Sequence, residues 1–256
     1  MTTIHPTAIV NANAKLGTNV TIGPFTIVED NVEVGDDTSI ASNVLLASGA
    51  RIGQGCKIHN GAVIATHPQD LKFGGEMTTF EIGDHTTVRE FCTLNRGTHE
   101  RGKSTVGSNC LLMAYVHIAH DCFVGSNVIL ANSVQIAGHV TIEDWAIIGG
   151  LSGVHQFCHI GQHVMIGGGF RATQDVPPYI LASEEPLRFC GLNSIGLRRR
   201  GFSEAAMSSL KKAYRLLYRS HLNVSQAVEK IKTEVNMTPE VQNVLQFIEK
   251  ADRGLI

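Results

Sequence analysis

Every sixth residue over most of this chain is a branched aliphatic. Ile, Leu or Val stands at positions 4, 10, 16, 22, 28, 34, 40, 46, 52, 58 and 64, again at 82, 88 and 94, and then at every sixth position from Val106 to Ile166. Such a period fits neither an α-helix, whose apolar residues recur at three and four, nor a half-buried strand, which alternates at two. It marks a repeat architecture in which each short unit buries its apolar side only by stacking on its neighbours.

The other positions of the hexad say what that unit is. Gly or Ala commonly follows the aliphatic, as in Leu16-Gly17, Ile52-Gly53, Val124-Gly125 and Ile136-Ala137, and the fifth position is small or β-branched, as at Ala14, Val20, Val44, Ala62 and Val134. Positions five and one of consecutive hexads are two apart, so they share one face of a strand and point inward, while six and two point outward. Positions three and four, rich in Asn, Asp and Gly, turn the corner. Three such strands wind one coil of a triangular prism, about 18 residues long, whose successive coils pair as parallel sheets. The hexad resembles that of the left-handed parallel β-helix, and the left hand is implied by that resemblance alone, because connection rules favour the right. The expected class is therefore mainly β: a prism of hexapeptide repeats over 1–186, followed by an α-helical domain over 187–256.

Composition narrows the partners. A formal net charge of −2 provides no broad basic surface, which excludes extended nucleic-acid binding. No run of apolar residues is long enough to span a bilayer, and the opening Met1-Thr2-Thr3-Ile4-His5-Pro6 lacks an export signal's basic start and apolar core, so a cytoplasmic protein without stable membrane insertion is expected. Of the six cysteines, Cys56, Cys92, Cys110, Cys122 and Cys158 fall on the inward fifth position and read as core filler; no CxxC pair is present.

Two stretches, 65–81 and 95–105, abandon the period. A coil accepts insertions only at its corners, so both are expected as loops outside the prism, where function concentrates on a rigid scaffold. Beyond residue 186 the hexads stop. Ser203 caps an amphipathic run through Tyr218, Val224–Val235 follows, and Thr238-Pro239 opens a last helix.

The hexads led by Ile118, Ile136 and Val154 lie 18 apart, hence one above another on one side of the prism. Each carries a histidine near the same corner: His120, His139 and His155, with His117 on the outward position just before. Hexad 64, where the first loop leaves, shares this column, so Asp70 and Lys72 are candidates to reach the same groove or that of a neighbouring subunit. An imidazole accepts a proton from an alcohol at neutral pH, and the adjacent Asp121 would fix its tautomer. Backbone N–H groups at Gly138-His139 would stabilise an oxyanion. This is equipment for acyl transfer. A zinc hydratase on the same fold, of the γ-carbonic anhydrase type, holds its metal with histidines of which two are five apart, whereas His117 and His120 are three apart; no metal is expected.

The segments His117-Ile118-Ala119-His120-Asp121-Cys122, Ala137-Gly138-His139-Val140, Val154-His155-Gln156-Phe157-Cys158, Gln174-Asp175-Val176-Pro177-Pro178-Tyr179 and Arg199-Arg200-Gly201-Phe202 closely resemble the UDP-N-acetylglucosamine O-acyltransferases of lipid A biosynthesis. The likeness runs from the first hexad through the helical region. It implies a cytoplasmic homotrimer with sites between adjacent prisms, moving a 3-hydroxyacyl group from acyl carrier protein to the 3-hydroxyl of UDP-N-acetylglucosamine. No cofactor is implied beyond the carrier's phosphopantetheine. By the same resemblance His120 is the general base, Asp121 its orienting partner and Gly138 the oxyanion donor. Gln69, Asp70, Lys72, His117, His139, His155 and Gln156 match substrate-groove positions, Gly168 the acyl-length ruler, Asn193 a nucleotide-site position, and Arg199 and Arg200 phosphate contacts. The chain departs from the family at Ile195, where an acidic residue serves uracil recognition. Three other readings stay open at this point: a coenzyme A-dependent acetyltransferase of the hexapeptide class, an enzyme acting on a 3-amino sugar nucleotide, and a noncatalytic trimeric scaffold.

Overall fold

The computed structural model describes residues 1–256. Its hexads form three parallel sheets around one apolar core. The first sheet has eleven strands, the second nine and the third eight, and consecutive strands in the chain fall in different sheets except the last two, which are neighbours in the first. Pairing follows the period: Thr3 faces Thr21 and Ile4 faces Ile22, eighteen residues on. Leading aliphatics and fifth-position residues point inward as expected, with Val20, Leu46, Ile64, Leu112, Val128 and Ile136 fully buried. The five inward cysteines are buried and reduced, and burial pushes the thiols of Cys92 and Cys122 up to about 12, far from reactive thiolates.

The corners carry more strain than the sequence suggested. Position four adopts the left-handed conformation even when the side chain is bulky: Phe25, Phe91, Tyr115, Trp145, Leu151 and Phe157 have φ between 56° and 67°. That conformation costs an L-residue about 1–2 kcal/mol. Coil-to-coil contact offsets it, as where Phe91 stacks on Tyr115 at 5.4 Å.

Both interruptions are insertions at one corner. Ile64 pairs with Leu94, and Leu94 with Ile118, in the second sheet, while Ile82 pairs with Ile52 and Val106 in the third. The chain therefore leaves the second sheet, makes a loop and rejoins the third at the next strand, adding to a coil rather than replacing one. Strands Val63–Thr66, Thr79–Ile82, Thr93–Asn95 and Lys103–Val106 trim the loops to 67–78 and 96–102.

The prism also runs past residue 186. Ile180–Ser183 pairs antiparallel with Arg188–Leu192, so Pro186 sits in the turn of a hairpin that extends the first sheet. The helical cap begins at α1 (Ser194–Arg199) and continues through α2 (Glu204–Arg219), α3 (Val224–Glu234) and α4 (Pro239–Glu249). Ser203, Asn223 and Thr238 cap the last three through side chains that accept a backbone N–H, Asn223 within a capping box. The C-terminus is tied back to the prism by Asp175, whose buried carboxylate accepts the N–H groups of His159 at 2.7 Å and Arg253 at 3.1 Å. No helix is long and apolar enough to cross a membrane.

Candidate active site

The corner between the second and third sheets gathers both loops and the histidine column. At coil position three His120 leaves the second sheet, and at position four Asp121 turns the corner with φ 57°. His120 Nδ1 lies 2.8 Å from Asp121 Oδ2. Asp121 is completely buried and His120 is 14% exposed, so the carboxylate is sealed in while the ring keeps one edge toward solvent. Loop 96–102 closes over Asp121. Thr98 donates its N–H to Oδ1 at 3.0 Å and its hydroxyl to Oδ2 at 2.8 Å, and Arg101 donates to the Asp121 carbonyl at 2.9 Å. Burial alone would raise this carboxyl, but the bonds from His120 and Thr98 outweigh it and hold the pKa below the ordinary Asp value. An ionised Asp121 keeps the proton of the imidazole on Nδ1, leaving the Nε2 lone pair free.

One coil on, Gly138 stands against that ring. A Cβ on residue 138 would meet His120 Nε2 and Cε1 at 2.9 Å, so only glycine lets the imidazole lie there. The Gly138 N–H has no acceptor within the protein. The residue packed against the candidate base thus also carries a backbone donor without an acceptor.

His139 packs edge-on to His120, with ring centroids 5.1 Å apart, and stacks on Phe157 at 4.7 Å. Its Nε2 is 3.8 Å from Asp121 Oδ2 and 3.7 Å from Glu100 Oε2. Burial lowers its pKa, against the pull of Asp121 and Glu100, and its Nδ1 is buried without a partner. His117 is bound through Nδ1 to Thr93 Oγ1 at 2.8 Å and burial lowers its pKa too. Both rings are therefore neutral near pH 7.

His120, Asp121 and His139 are also close enough to suggest a shared cation, their ligand atoms lying within 4.8 Å of one another. The short His120–Asp121 contact is a hydrogen-bond length, below the roughly 3.3 Å that separates tetrahedral zinc ligands at Zn–N about 2.0 Å. Asp121 Oδ2 already accepts from the Thr98 hydroxyl as well. The donor set suits a proton better than a metal.

The remaining sequence candidates divide. His155 and Gln156 lie on the same column but are exposed, and His155 Nδ1 turns to Arg253 at 3.3 Å rather than to His139. Gln69, Asp70 and Lys72 sit on loop 67–78, where Asp70 accepts the Lys72 N–H; no hydrogen bond joins them to His120 within one chain. Gly168 lies at the other edge of the second sheet, where a Cβ would sit 3.1 Å from the Gly150 carbonyl oxygen. Asn193 caps α1, its side chain accepting from Gly196 and donating to the His163 carbonyl, so its polar atoms are already engaged. Arg199 is exposed, whereas Arg200 is half-buried, lies over the Trp145 ring at 5.0 Å and donates to His163 Nδ1 at 3.2 Å. Thr98, Glu100 and Arg101 were not singled out from sequence. The signal was there in part: placing the insertion after Leu94 at a corner puts these residues one coil from Asp121.

A three-sided coil of hexapeptide repeats with a histidine–carboxylate pair on one edge defines a hexapeptide-repeat transferase. The bacterial transferase hexapeptide family matches residues 31–66 and 103–138, and the second domain of UDP-N-acetylglucosamine O-acyltransferase matches 175–256. An acyl-[acyl-carrier-protein]–UDP-N-acetylglucosamine O-acyltransferase of Thiobacillus denitrificans is 51% identical over the whole of both chains, and one of Aliivibrio fischeri is 50% identical over 99% of this chain and 97% of its own. Among solved structures, the UDP-N-acetylglucosamine acyltransferase LpxA of Bacteroides fragilis superposes with a TM-score of 0.97 at 47% identity, covering 98% of this chain and 99% of its own. LpxA of Acinetobacter baumannii gives 0.96 at 42% identity, covering 99% of each. The chain belongs to the acyl-[acyl-carrier-protein]–UDP-N-acetylglucosamine O-acyltransferase family, and its prism is accordingly the left-handed parallel β-helix.

Proposed function

We propose that the protein transfers a 3-hydroxyacyl chain from acyl carrier protein to the 3-hydroxyl of UDP-N-acetylglucosamine, the first step of lipid A biosynthesis. The observation that carries this reading is the His120–Asp121 pair at 2.8 Å, with Gly138 and its unpartnered N–H packed against the imidazole. His120 Nε2 removes the proton of the sugar hydroxyl as its oxygen attacks the thioester carbonyl. Asp121 stabilises the imidazolium, and Gly138 N–H donates to the oxyanion of the tetrahedral intermediate. The intermediate collapses as the C–S bond breaks, and the phosphopantetheine thiolate takes the proton back from His120. The donor arrives already activated as a thioester, so the step needs no resident cofactor.

His139 and His117, neutral and lining the same face, serve the sugar as hydrogen-bonding groups rather than charges. Gln69, Asp70 and Lys72 meet the substrate across a subunit boundary in a cytoplasmic homotrimer. In support, loop 67–78 presents Leu71 fully and Met77 largely to solvent in the single chain, and the outward stripe of the second sheet begins with exposed Ile9 and Ile27. Gln156 lines the substrate groove, Gly168 sets the acyl length, and Arg199 and Arg200 meet phosphates.

Incubation with UDP-N-acetylglucosamine and 3-hydroxyacyl carrier protein should yield an ester whose mass gives the acyl length. His120→Ala should lower the rate at least about a hundredfold. No product from the wild-type protein, or unchanged turnover in the variant, would refute the assignment. An amide formed preferentially with a 3-amino sugar nucleotide would move it to that acceptor.

A further inference from the structure

Asp121 is held from outside its own coil more tightly than by its neighbours in sequence. Its two carboxylate oxygens receive three donors, and two belong to Thr98, which is 23 residues earlier in the chain and only 5% exposed. Thr98 is itself placed by its loop. Gly97 passes so near Lys103 that a Cβ would lie 2.4 Å from the Lys103 nitrogen. The Gly97 carbonyl accepts the Thr78 hydroxyl at 2.6 Å, and the next N–H, that of His99, is accepted by Glu76 Oε1 at 2.9 Å. The Thr98 hydroxyl, having one proton, gives it to Asp121 Oδ2, the same oxygen that receives His120 Nδ1–H. Oδ1 takes the Thr98 N–H.

We infer that Thr98 is a positioning residue for the His120–Asp121 pair, its hydroxyl and N–H fixing the carboxylate in the plane that presents the His120 Nε2 to the acceptor hydroxyl. The inference rests on the reading of His120 as base. The hydroxyl also competes with His120 for negative charge on Oδ2. Removing it leaves a stronger acceptor for Nδ1–H, which favours the imidazolium. The groups facing this carboxylate are His120 on its own coil, His139 on the next, and Thr98 on the loop; Glu100 lies beside His139, and Arg101 reaches the Asp121 carbonyl. No other charged group offers Oδ2 a replacement proton.

Thr98→Val keeps the shape and removes the hydroxyl; Thr98→Ser keeps the hydroxyl and removes a methyl. Thr98→Val should lower kcat about tenfold to a hundredfold, as expected for loss of a hydrogen bond to a charged group, with KM for the sugar nucleotide within about twofold. The acid limb of its rate profile should move to higher pH by on the order of half a unit. Thr98→Ser should restore both. In the free protein the downfield His120 Nδ1 proton resonance should shift in Thr98→Val and return in Thr98→Ser, a readout that needs no turnover. An unmoved resonance and acid limb in Thr98→Val would overturn the inference, as would equal losses in both variants. Inactive wild-type protein whose resonance still responds in this way would refute the catalytic reading alone and leave Thr98 as the residue that sets the pair.

Discussion

A methyl group at residue 138 would share space with the His120 ring, since the Cβ position lies 2.9 Å from both Nε2 and Cε1. The backbone there is not in the left-handed region, so alanine fits the chain and only the imidazole must yield. Gly138→Ala should therefore leave the melting temperature nearly unchanged while lowering kcat about a hundredfold, the scale of an ångström-sized misplacement of a catalytic group. Melting curves and steady-state rates on the same preparation check it; a folded variant with wild-type kcat would show that His120 need not lie where it does. At this scale, the column of His120, His139 and the glycine between them was legible because an eighteen-residue coil converts spacing into height. Thr98 was not, because its loop carries no period and its path depends on bonds such as Glu76 to His99. Likewise, only the structure shows that Asn193 spends its side chain on a helix cap and that His155 turns to Arg253.

Among the elements, α2 was readable from Ser203 and its apolar spacing, while α1 was hidden: six residues are too few to show a helical period, and its arginines look like a solvated turn. The hairpin beyond residue 183 was obscured by Pro186, which marks its turn rather than the end of the sheet. Together α1, α2 and that hairpin enclose a groove lined by Arg198, Lys211, Lys212, Arg215 and Arg219, with Glu204 the one acid and Phe189 on its wall. In a chain of net charge −2 this is a concentrated positive surface. The proposed donor hangs from a carrier protein through an anionic phosphodiester, so the groove offers α2 as the element that receives it. Lys211→Glu combined with Arg215→Glu should raise KM for the carrier-bound donor several-fold, leave KM for the sugar nucleotide alone, and lose its effect as salt rises. Equal change in both KM values would remove α2 from donor binding.

Across the whole molecule, burial of histidines couples stability to pH. His117, His139 and His163 all have pKa values lowered chiefly by burial, His163 to about 4 with Arg200 adding to the effect. In the unfolded chain each titrates near 6.5, so between that pH and the folded value unfolding takes up protons, and the stability present above 6.5 falls as pH drops. For His163 the loss levels off below about 4. Asp121 acts in the same direction lower down: its depressed pKa contributes stability above its unfolded value of 3.8, lost as pH falls through the folded one. The melting temperature should thus decline steadily from pH 7 to pH 4 under constant salt. His163 stacks between Trp145 and Tyr179, so His163→Phe retains a flat ring there without a titrating group and should flatten that decline even if its melting temperature at pH 7 is lower. A slope the same in both proteins would place the proton uptake at other groups, His117 and His139 among them, whose imidazoles burial likewise holds below their ordinary pKa.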